Sequence, residues 1–300
     1  MKIAVFDIRL LPKAKEQIQA LATEPATFMK DRCTSEQEFI KQTNGAQAII
    51  ISPWDKVTAS YLDACPEIRY IGLCGTSTAN IDMGELKKRN IAFSNIVSKG
   101  KEPVAEFIFM QLVRLARGVG DYQWKAEERE LMHKTIGIIG LGHVGQAIAH
   151  LALAYKMQVS YYSPHRKSVW EDRGLRYLDM TGLPGANEII VACGPTNVQV
   201  LGKAEFERMQ PGSIIVQASA GTVFDQPAFL AWIAQEGNFA MFDRSSSDEN
   251  YRAYKKLPRV IFSESVAGDT YESNERRGQK AVENLRVYLQ GDKEQGVFNT

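Results

Sequence analysis

The sequence predicts an α/β fold made of two doubly wound domains with parallel sheets. Short apolar runs typical of buried strands alternate with amphipathic helical segments along nearly all of the 300 residues. A helical segment at 103–119 is apolar nearly all round, so we expect it to be buried and to join two domains. The hydrophobic content of 44% is enough for two cores. One domain is therefore predicted at 1–100 and 270–300, and the other at 101–269.

The first domain is predicted to be a small parallel α/β unit of the flavodoxin-like type. Its strands are expected at 3–6, 48–51, 68–73 and 91–94. Its helices are expected near 13–22, 35–42 and 83–89. The long amphipathic segment 270–290 is expected to return to this domain, which makes the domain discontinuous in sequence.

The second domain follows the apolar helix and continues the same alternation of strands and helices. Its strands are expected at 135–139, 159–162, 188–193, 213–217, 239–243 and 260–263. Strands that are apolar without alternation are typical of a parallel sheet that is covered by helices on both faces.

The first strand of the second domain leads into the pattern G-x-G-x-x-G, at Gly140, Gly142 and Gly145. In such a turn the first glycine permits a tight bend, the second lets the backbone approach a pyrophosphate, and the third lets helix and strand pack closely. The helix that follows offers unpaired N–H groups and a positive dipole end. With a strand before it and a helix after it, the pattern predicts a Rossmann turn that binds a dinucleotide. The predicted contacts in this turn are Gly140, Leu141, Gly142, His143, Val144 and Gly145.

The end of the second strand of this unit indicates which dinucleotide is preferred. Ser163 lies 18 residues after Gly145, where an NAD-selective site usually places a carboxylate for the ribose 2′-hydroxyl. A basic run that includes His165 and Arg166 follows, and it suits a 2′-phosphate. A solvated basic turn without a ligand is the alternative. We therefore expect NADP(H) in preference to NAD(H), with Ser163, His165 and Arg166 among the contacts.

The charge balance and the cysteine content indicate which kinds of ligand or partner this protein is expected to bind. The 36 basic and 35 acidic residues form no block of like charge, so neither a nucleic acid nor a membrane surface is expected as a partner. No apolar run reaches the roughly 18 residues of a membrane span, and the N-terminus is typical of a strand, so we expect a cytoplasmic protein. The four cysteines lack metal-ligand spacing, so structural thiols are expected and no metal site is predicted. The expected partner is a small-molecule substrate.

Several motifs resemble those of the D-2-hydroxyacid dehydrogenases, a family that includes phosphoglycerate dehydrogenase and the glyoxylate and hydroxypyruvate reductases. The segment 75–82 resembles the family's substrate loop, G-x-x-x-x-N-x-D, and 104–106 its V-A-E helix start. The segments 135–149, 210–216 and 240–243 are similar to its nucleotide turn, its K-P-G-A-x-L-I strand and its A-x-L-D strand end. This resemblance implies an oxidoreductase that uses a nicotinamide cofactor and acts on a small 2-hydroxy or 2-keto acid.

The resemblance also implies roles for residues at the matching positions. The substrate-binding loop would comprise Gly75, Thr76, Ser77 and Thr78, with ordinary capping of a strand end as the alternative. Further cofactor contacts are implied at Cys193, Pro195, Thr196, Ala218, Ser219, Asp243 and Gly268. Because the family commonly pairs through its cofactor domains, and because the helix at 103–119 is so apolar, we expect a homodimer.

The catalytic positions depart from the family pattern. Where the family has a catalytic arginine, glutamate and histidine, this chain has Ala220, Asp248 and Ser265. Alanine can neither hold a substrate carboxylate nor polarise a carbonyl, and a serine hydroxyl is too weak an acid to deliver a proton. All four histidines fall between 133 and 165, around the nucleotide turn, so none is expected to fill the gap.

Two residues are candidates to replace the lost groups. Arg244, directly after Asp243, is a candidate clamp for the substrate carboxylate, with a solvated or ion-paired arginine as the alternative. Glu264 is a candidate proton donor if burial raises its pKa, with an exposed strand-end glutamate as the alternative.

Two functions follow from this combination of an intact turn and an altered catalytic site. We favour an NAD(P)-dependent 2-hydroxyacid oxidoreductase with an atypical or weakened site, because the turn and the hydroxyls of the substrate loop are retained. The alternative is a catalytically silent NADP(H)-binding sensor or regulatory protein on the same fold.

Overall fold

The computed structural model describes residues 1–6, 8–97 and 100–291, and the Asp248 side chain is left out of that description. The chain divides into two compact units. Unit 1 contains the described residues of 1–99 and 271–300, and unit 2 contains those of 100–270. None of the helices within the described ranges is long and apolar enough to cross a membrane.

Strands and helices alternate through both units. The strands are β1 (Ile3–Val5), β2 (Thr27–Phe28), β3 (Ala48–Ile51), β4 (Tyr70–Leu73), β5 (Ala92–Asn95), β6 (Thr135–Ile139), β7 (Gln158–Tyr162), β8 (Arg176–Tyr177), β9 (Ile189–Ala192), β10 (Ile214–Gln217), β11 (Phe239–Phe242) and β12 (Val260–Phe262). The helices are α1 (Pro12–Leu21), α2 (Glu36–Thr43), α3 (Ala59–Ala64), α4 (Met83–Lys88), α5 (Lys101–Ala116), α6 (His143–Ala154), α7 (Ser168–Glu171), α8 (Leu183–Ala186), α9 (Lys203–Arg208), α10 (Gln226–Ile233), α11 (Asp248–Tyr254) and α12 (Tyr271–Leu289).

Unit 1 is built on a parallel sheet whose strands, among the described residues, lie in the order β2-β1-β3-β4-β5. This is the flavodoxin-like order, with its reversal of direction between β1 and β3. Side chains of β3 alternate between two cores, since Ile49 and Ile51 pack on one face of the sheet and Ala48 and Ile50 on the other. Burial on both faces explains why this strand is apolar without alternation.

The C-terminal helix α12 packs within unit 1, against α1 and β4. Val282 and Leu285 of this helix are buried in the core that contains Ile3 and Val5. Gly278 permits a close approach of the two helices, because a Cβ atom there would lie 2.7 Å from the Ala14 Cβ.

Unit 2 is built on a parallel sheet with the order β12-β11-β10-β9-β6-β7-β8 in its described part. Counted within the unit, this is the Rossmann order 3-2-1-4-5-6 extended by one further strand. Apolar cores lie on both faces, and α5 packs against α6 in one of them. The predicted fold class, two doubly wound parallel sheets, is confirmed.

Three predictions about elements need correction. The short strands β2 and β8 were not expected, because two residues give no readable periodicity, and α3 was not expected either. The helix predicted at 103–119 ends at Ala116, since Gly118 adopts a φ of 65° that leaves the helical conformation. That helix is not buried all round: Glu102, Glu106 and Arg114 are exposed, and Met110 is 46% exposed.

Candidate functional site

The strands of unit 2 end in register at one edge of the sheet. Ile139 of β6 pairs with Ala192 of β9, and Ala192 pairs with Gln217 of β10. Phe242 of β11 likewise pairs with Phe262 of β12. The loops that follow these strands therefore meet along one edge. The strand order reverses between β6 and β9, and ligands of open α/β sheets bind in the crevice at that point.

The glycines of the turn after β6 have three different environments. Gly140 has a φ of 97°, and a Cβ atom there would lie 2.6 Å from the Cys193 carbonyl oxygen. A Cβ atom on Gly145 would lie 2.1 Å from the Gly140 carbonyl oxygen. At Gly142 a Cβ atom would meet open space, since no described residue beyond its chain neighbours lies within 4 Å. Gly140 and Gly145 are thus needed for packing, whereas Gly142 leaves open space beside the backbone.

The amino end of α6 faces this open space without a side-chain cap. Gly142 is the N-cap residue, no side chain bonds to the first-turn amides, and the first turn contains no acidic residue. The amides of His143, Val144 and Gly145 have no intrahelical acceptor, since they belong to the first turn. Such an end attracts an anion through its N–H groups and the helix dipole. Leu141 differs from its neighbours, because its side chain is 1% exposed and belongs to the core.

The basic run after β7 is held by a carboxylate that sequence analysis did not identify. The Arg166 guanidinium donates to both carboxylate oxygens of Glu171, with a distance of 3.1 Å from Nε to Oε1. The Tyr161 hydroxyl donates to the same carboxylate at 2.7 Å. Arg166 and Tyr161 together lower the pKa of Glu171. Ser163 is buried, whereas His165 is exposed. Arg166 is thus ion-paired and also exposed, and its role toward a 2′-phosphate stays a prediction.

Hydrogen bonds hold the loops after β9 and β10, and several polar groups of these loops bond within the protein. The Cys193 amide donates to Ile139 at 2.7 Å, and burial raises the pKa of its thiol to about 12. The Ser219 hydroxyl donates to the carbonyl oxygens of Gly194, at 2.8 Å, and Ala192, at 3.2 Å. Ser219 is thus oriented toward the protein. The other predicted contacts of these loops lie nearer the surface: Pro195 and Thr196 are exposed and Ala218 is half-buried.

Asp243 joins the loops after β11 and β12. One of its carboxylate oxygens accepts the Ser245 amide at 3.0 Å and hydroxyl at 2.5 Å, and the other accepts the Ala267 amide at 2.7 Å. The side chain is 7% exposed, so its main observed role is to fix this edge of the sheet. Gly268 follows and lies against α5, where a Cβ atom would be 3.3 Å from Val104 Cγ2.

The three replaced positions lie in the same row of loops. Ala220 contributes its carbonyl oxygen to the Asn197 amide at 3.4 Å. The Ser265 hydroxyl lies 2.9 Å from the Ser263 hydroxyl, and the Ser265 carbonyl accepts the Arg244 amide at 3.2 Å. Asp248 is the first residue of α11, and its side chain lies outside the described part of the chain. The described contacts of Ala220 and Ser265 are thus backbone and hydroxyl hydrogen bonds within these loops.

A cluster that the sequence did not indicate lies around Tyr251 of α11. The Arg244 guanidinium and the Lys255 ammonium each lie 4.1 Å from the centre of the Tyr251 ring. The Lys255 ammonium donates to the Tyr251 hydroxyl, which donates to Glu264 at 2.5 Å. We call these four residues the Tyr251 cluster. A spacing of seven residues between Arg244 and Tyr251 carries no local signal, so only the folded structure reveals the contact.

The condition set for Glu264 as a proton donor is not met. Its side chain is 72% exposed, and the hydrogen bond from Tyr251 and the positive charge of Lys255 lower its pKa. A carboxylate that stays ionised at neutral pH accepts protons in hydrogen bonds and does not supply them. The conditional candidate role of Glu264 as proton donor therefore lacks its condition, and the exposed strand-end glutamate that the sequence favoured is what the structure has.

The predicted substrate loop belongs to unit 1 and follows β4. Gly75 lies close to Pro53, since a Cβ atom there would be 2.4 Å from the Pro53 Cγ. Thr76 accepts the Asn95 side-chain amide through its carbonyl oxygen, and the Ser77 hydroxyl accepts the Ala79 amide at 3.4 Å. Thr76 and Ser77 are exposed, and Thr78 is half-buried. Their roles in substrate binding stay a prediction.

Comparison with known proteins identifies the family to which the chain belongs. Residues 108–263, a little over half of the chain, match the family described as D-isomer specific 2-hydroxyacid dehydrogenase, NAD binding domain. A glyoxylate reductase of Thermococcus litoralis is 25% identical over 318 aligned positions, which cover 97% of this chain and 95% of that protein. The chain therefore belongs to the D-isomer specific 2-hydroxyacid dehydrogenase family, and the predicted NAD(P)-dependent oxidoreductase of this type is confirmed.

Solved structures share the fold over nearly the whole length. The apo structure of D-lactate dehydrogenase from Escherichia coli aligns with a TM-score of 0.82 and 21% identity, and covers 99% of both chains. An acyclic imino acid reductase in complex with NADPH and D-Arg aligns with a TM-score of 0.81 and 23% identity, and covers 97% of this chain and 98% of that one. At these identities the likeness shows the fold alone.

The two environments of Gly142 and Gly145 yield a paired prediction. Gly142→Ala should leave the thermal unfolding midpoint unchanged, because its Cβ atom meets open space. It should weaken dinucleotide binding by tenfold or more, on the order expected for losing one charge-assisted hydrogen bond. Gly145→Ala is the matched control and should cost about 1–3 kcal/mol of stability through overpacking. Calorimetry and thermal unfolding without cofactor measure both effects. Unchanged dinucleotide affinity of Gly142→Ala would contradict this assignment.

Proposed function

We propose that this protein is a reductase of small 2-keto acids that uses NADP(H) in preference to NAD(H). The observation that carries the proposal is the uncapped amino end of α6 beside Gly142, where the described residues leave open space next to the backbone. When bound there, the nicotinamide dinucleotide supplies the hydride that reduces the C2 carbonyl. The polar atoms present fit this group: backbone amides for phosphate, and a carboxylate-free strand end at Ser163 for the adenosine ribose.

The preference for NADP(H) rests on Arg166. Its guanidinium is held by Glu171, but the Arg166 side chain is 66% exposed, so solvent screens the ion pair. A 2′-phosphate carries more charge than a carboxylate and accepts two parallel N–H bonds from the same planar group. The phosphate therefore competes with Glu171 for Arg166. His165 is exposed two residues after Ser163 and adds a further donor.

The substrate's carboxylate needs a cation, and Arg244 supports that role. Its guanidinium is stacked on the Tyr251 ring, 4.1 Å from the ring centre, which fixes the plane of its five donors. Arg244 follows Asp243, whose carboxylate fixes the same loop. Within unit 1, the exposed residues Thr76 and Ser77 keep their proposed role as a substrate-binding loop.

A sensor that binds NADP(H) without turnover is the competing function, since Ala220 and Ser265 cannot perform the family's chemistry. Purified protein should oxidise NADPH slowly with glyoxylate, hydroxypyruvate or pyruvate, on the order of 10²–10⁴-fold below an ordinary reductase. Ala220→Arg combined with Ser265→His should raise the rate. Absence of turnover with every acid, together with tight NADPH binding, would establish the sensor. Efficient turnover by the wild type would instead show that other groups fully replace the lost pair.

The proposed cofactor preference is tested with three variants and calorimetry. NADPH should bind the wild type more tightly than NADH by a factor on the order of 10–100, the range expected for charge-assisted contacts. Arg166→Ala should remove most of this preference, and Glu171→Gln should increase it because the competing carboxylate is lost. Arg173→Ala is the matched control, since its guanidinium is stacked on Trp170, and it should leave the preference unchanged. Equal affinities of the wild type for NADPH and NADH would refute the preference.

We also propose a two-fold homodimer through the α5 side of unit 2. Large apolar side chains remain exposed in this region: Met110 at 46%, Val119 at 60% and Tyr155 at 41%. Apolar groups clustered in this way are typical of a covered surface. Light scattering should give twice the chain mass of 33.5 kDa. Met110→Glu should give the monomer mass, whereas Leu230→Glu, on α10, should not change it. A monomeric wild type at micromolar concentration would rule out the dimer.

A further inference from the structure

We propose that Tyr251 is the proton donor to the substrate carbonyl, with Lys255 and Glu264 as positioning residues. This inference rests on the proposed reductase function and assigns the group that replaces the missing histidine. It starts from the contact between two segments, α11 and the loop after β12. The family positions of glutamate and histidine, at Asp248 and Ser265, lie on those same two segments.

In this chain the side-chain link between the two segments is made by Tyr251 and Glu264. Tyr251 lies three residues after Asp248, so both lie on the same face of α11. Glu264 directly precedes Ser265. The Tyr251 hydroxyl donates to Glu264 at 2.5 Å, and the ring packs edge-on against Phe262 with centres 5.0 Å apart. The phenol thus lies three residues after Asp248 in sequence, and its hydrogen-bond partner Glu264 is the residue before Ser265.

The phenol of Tyr251 lies among two cations and one carboxylate. Arg244 and Lys255 place two positive charges 4.1 Å from the ring centre, and the Lys255 ammonium also donates to the phenol oxygen. Glu264 adds one negative charge, and its side chain is 72% exposed and screened by water. The cluster therefore holds one more positive than negative charge around the phenol oxygen.

The proton step balances within the cluster. As hydride reaches C2, the carbonyl oxygen takes the proton from the Tyr251 O–H bond, and the product is the 2-hydroxy acid. The phenolate that remains keeps its hydrogen bond from the Lys255 ammonium and then takes a proton from solvent. In the oxidation direction the phenolate accepts the hydroxyl proton. Glu264 accepts the resting hydrogen bond of the phenol and orients its ring without supplying a proton.

The test compares turnover and binding in full-length variants loaded with NADPH. Tyr251→Phe should lower kcat on the order of 10²–10³-fold, while the Kd for NADPH and the thermal unfolding midpoint stay within error of the wild type. Lys255→Met should also lower kcat, and Lys255→Arg should restore part of the rate, because a cation and donor return. Tyr122→Phe is the matched control: it removes a hydroxyl from a half-buried tyrosine of the same unit and should leave kcat unchanged.

Each possible result either supports or overturns the proton-donor role of Tyr251. A wild-type kcat in Tyr251→Phe overturns the proton-donor role while the reductase function stands. A wild type that oxidises NADPH with none of the 2-keto acids overturns both. If Tyr251→Phe lowers the unfolding midpoint, the Lys255 pair decides: equal kcat in Lys255→Met and the wild type overturns the inference, and a loss that Lys255→Arg recovers supports it.

Discussion

The dinucleotide turn of unit 2 depends on the close approach of the Gly140 carbonyl oxygen to Gly145. A Cβ atom at Gly145 would lie 2.1 Å from that oxygen, so any side chain there would force the helix away from the strand. The contact places the first turn of α6 directly over the end of β6, and the left-handed Gly140 passes close to Cys193. With both glycines committed to packing, Gly142 alone leaves its backbone open, and the helix end faces the crevice of the sheet.

At the same edge of the sheet, the positions of the loops do not depend on the catalytic side chains. Hydrogen bonds join successive loops, from Cys193 to Ile139, from Ser219 to Gly194, and from Ala267 to Asp243. These bonds hold the loops in place whether or not a catalytic side chain occupies them. Loss of the family's arginine and histidine therefore leaves a folded site with altered reactivity. We propose that the Tyr251 cluster supplies the cations and the proton donor that Ala220 and Ser265 lack.

Sequence patterns predicted the features that depend on residues close together in the chain. Buried parallel strands are apolar without alternation, which located β3, β6 and β9, and the glycine spacing located the turn. Two-residue strands such as β2 leave no such pattern. The ion pair of Arg166 with Glu171 and the contact of Arg244 with Tyr251 depend on how loops and short helices pack, so no local pattern predicts them. Whether Glu264 is buried or exposed likewise depends on tertiary structure, so the sequence left both possibilities open.

Amide hydrogen exchange in the turn at 140–146 tests the central claim most directly, because it follows the backbone groups that the account assigns to the cofactor. The His143, Val144 and Gly145 amides have no intrahelical acceptor. Adding NADPH should slow their exchange, because its phosphate oxygens accept hydrogen bonds from them. The buried strand β9 should exchange as before and serves as the internal reference. NADPH binding that leaves the exchange of these three amides unchanged would contradict the account.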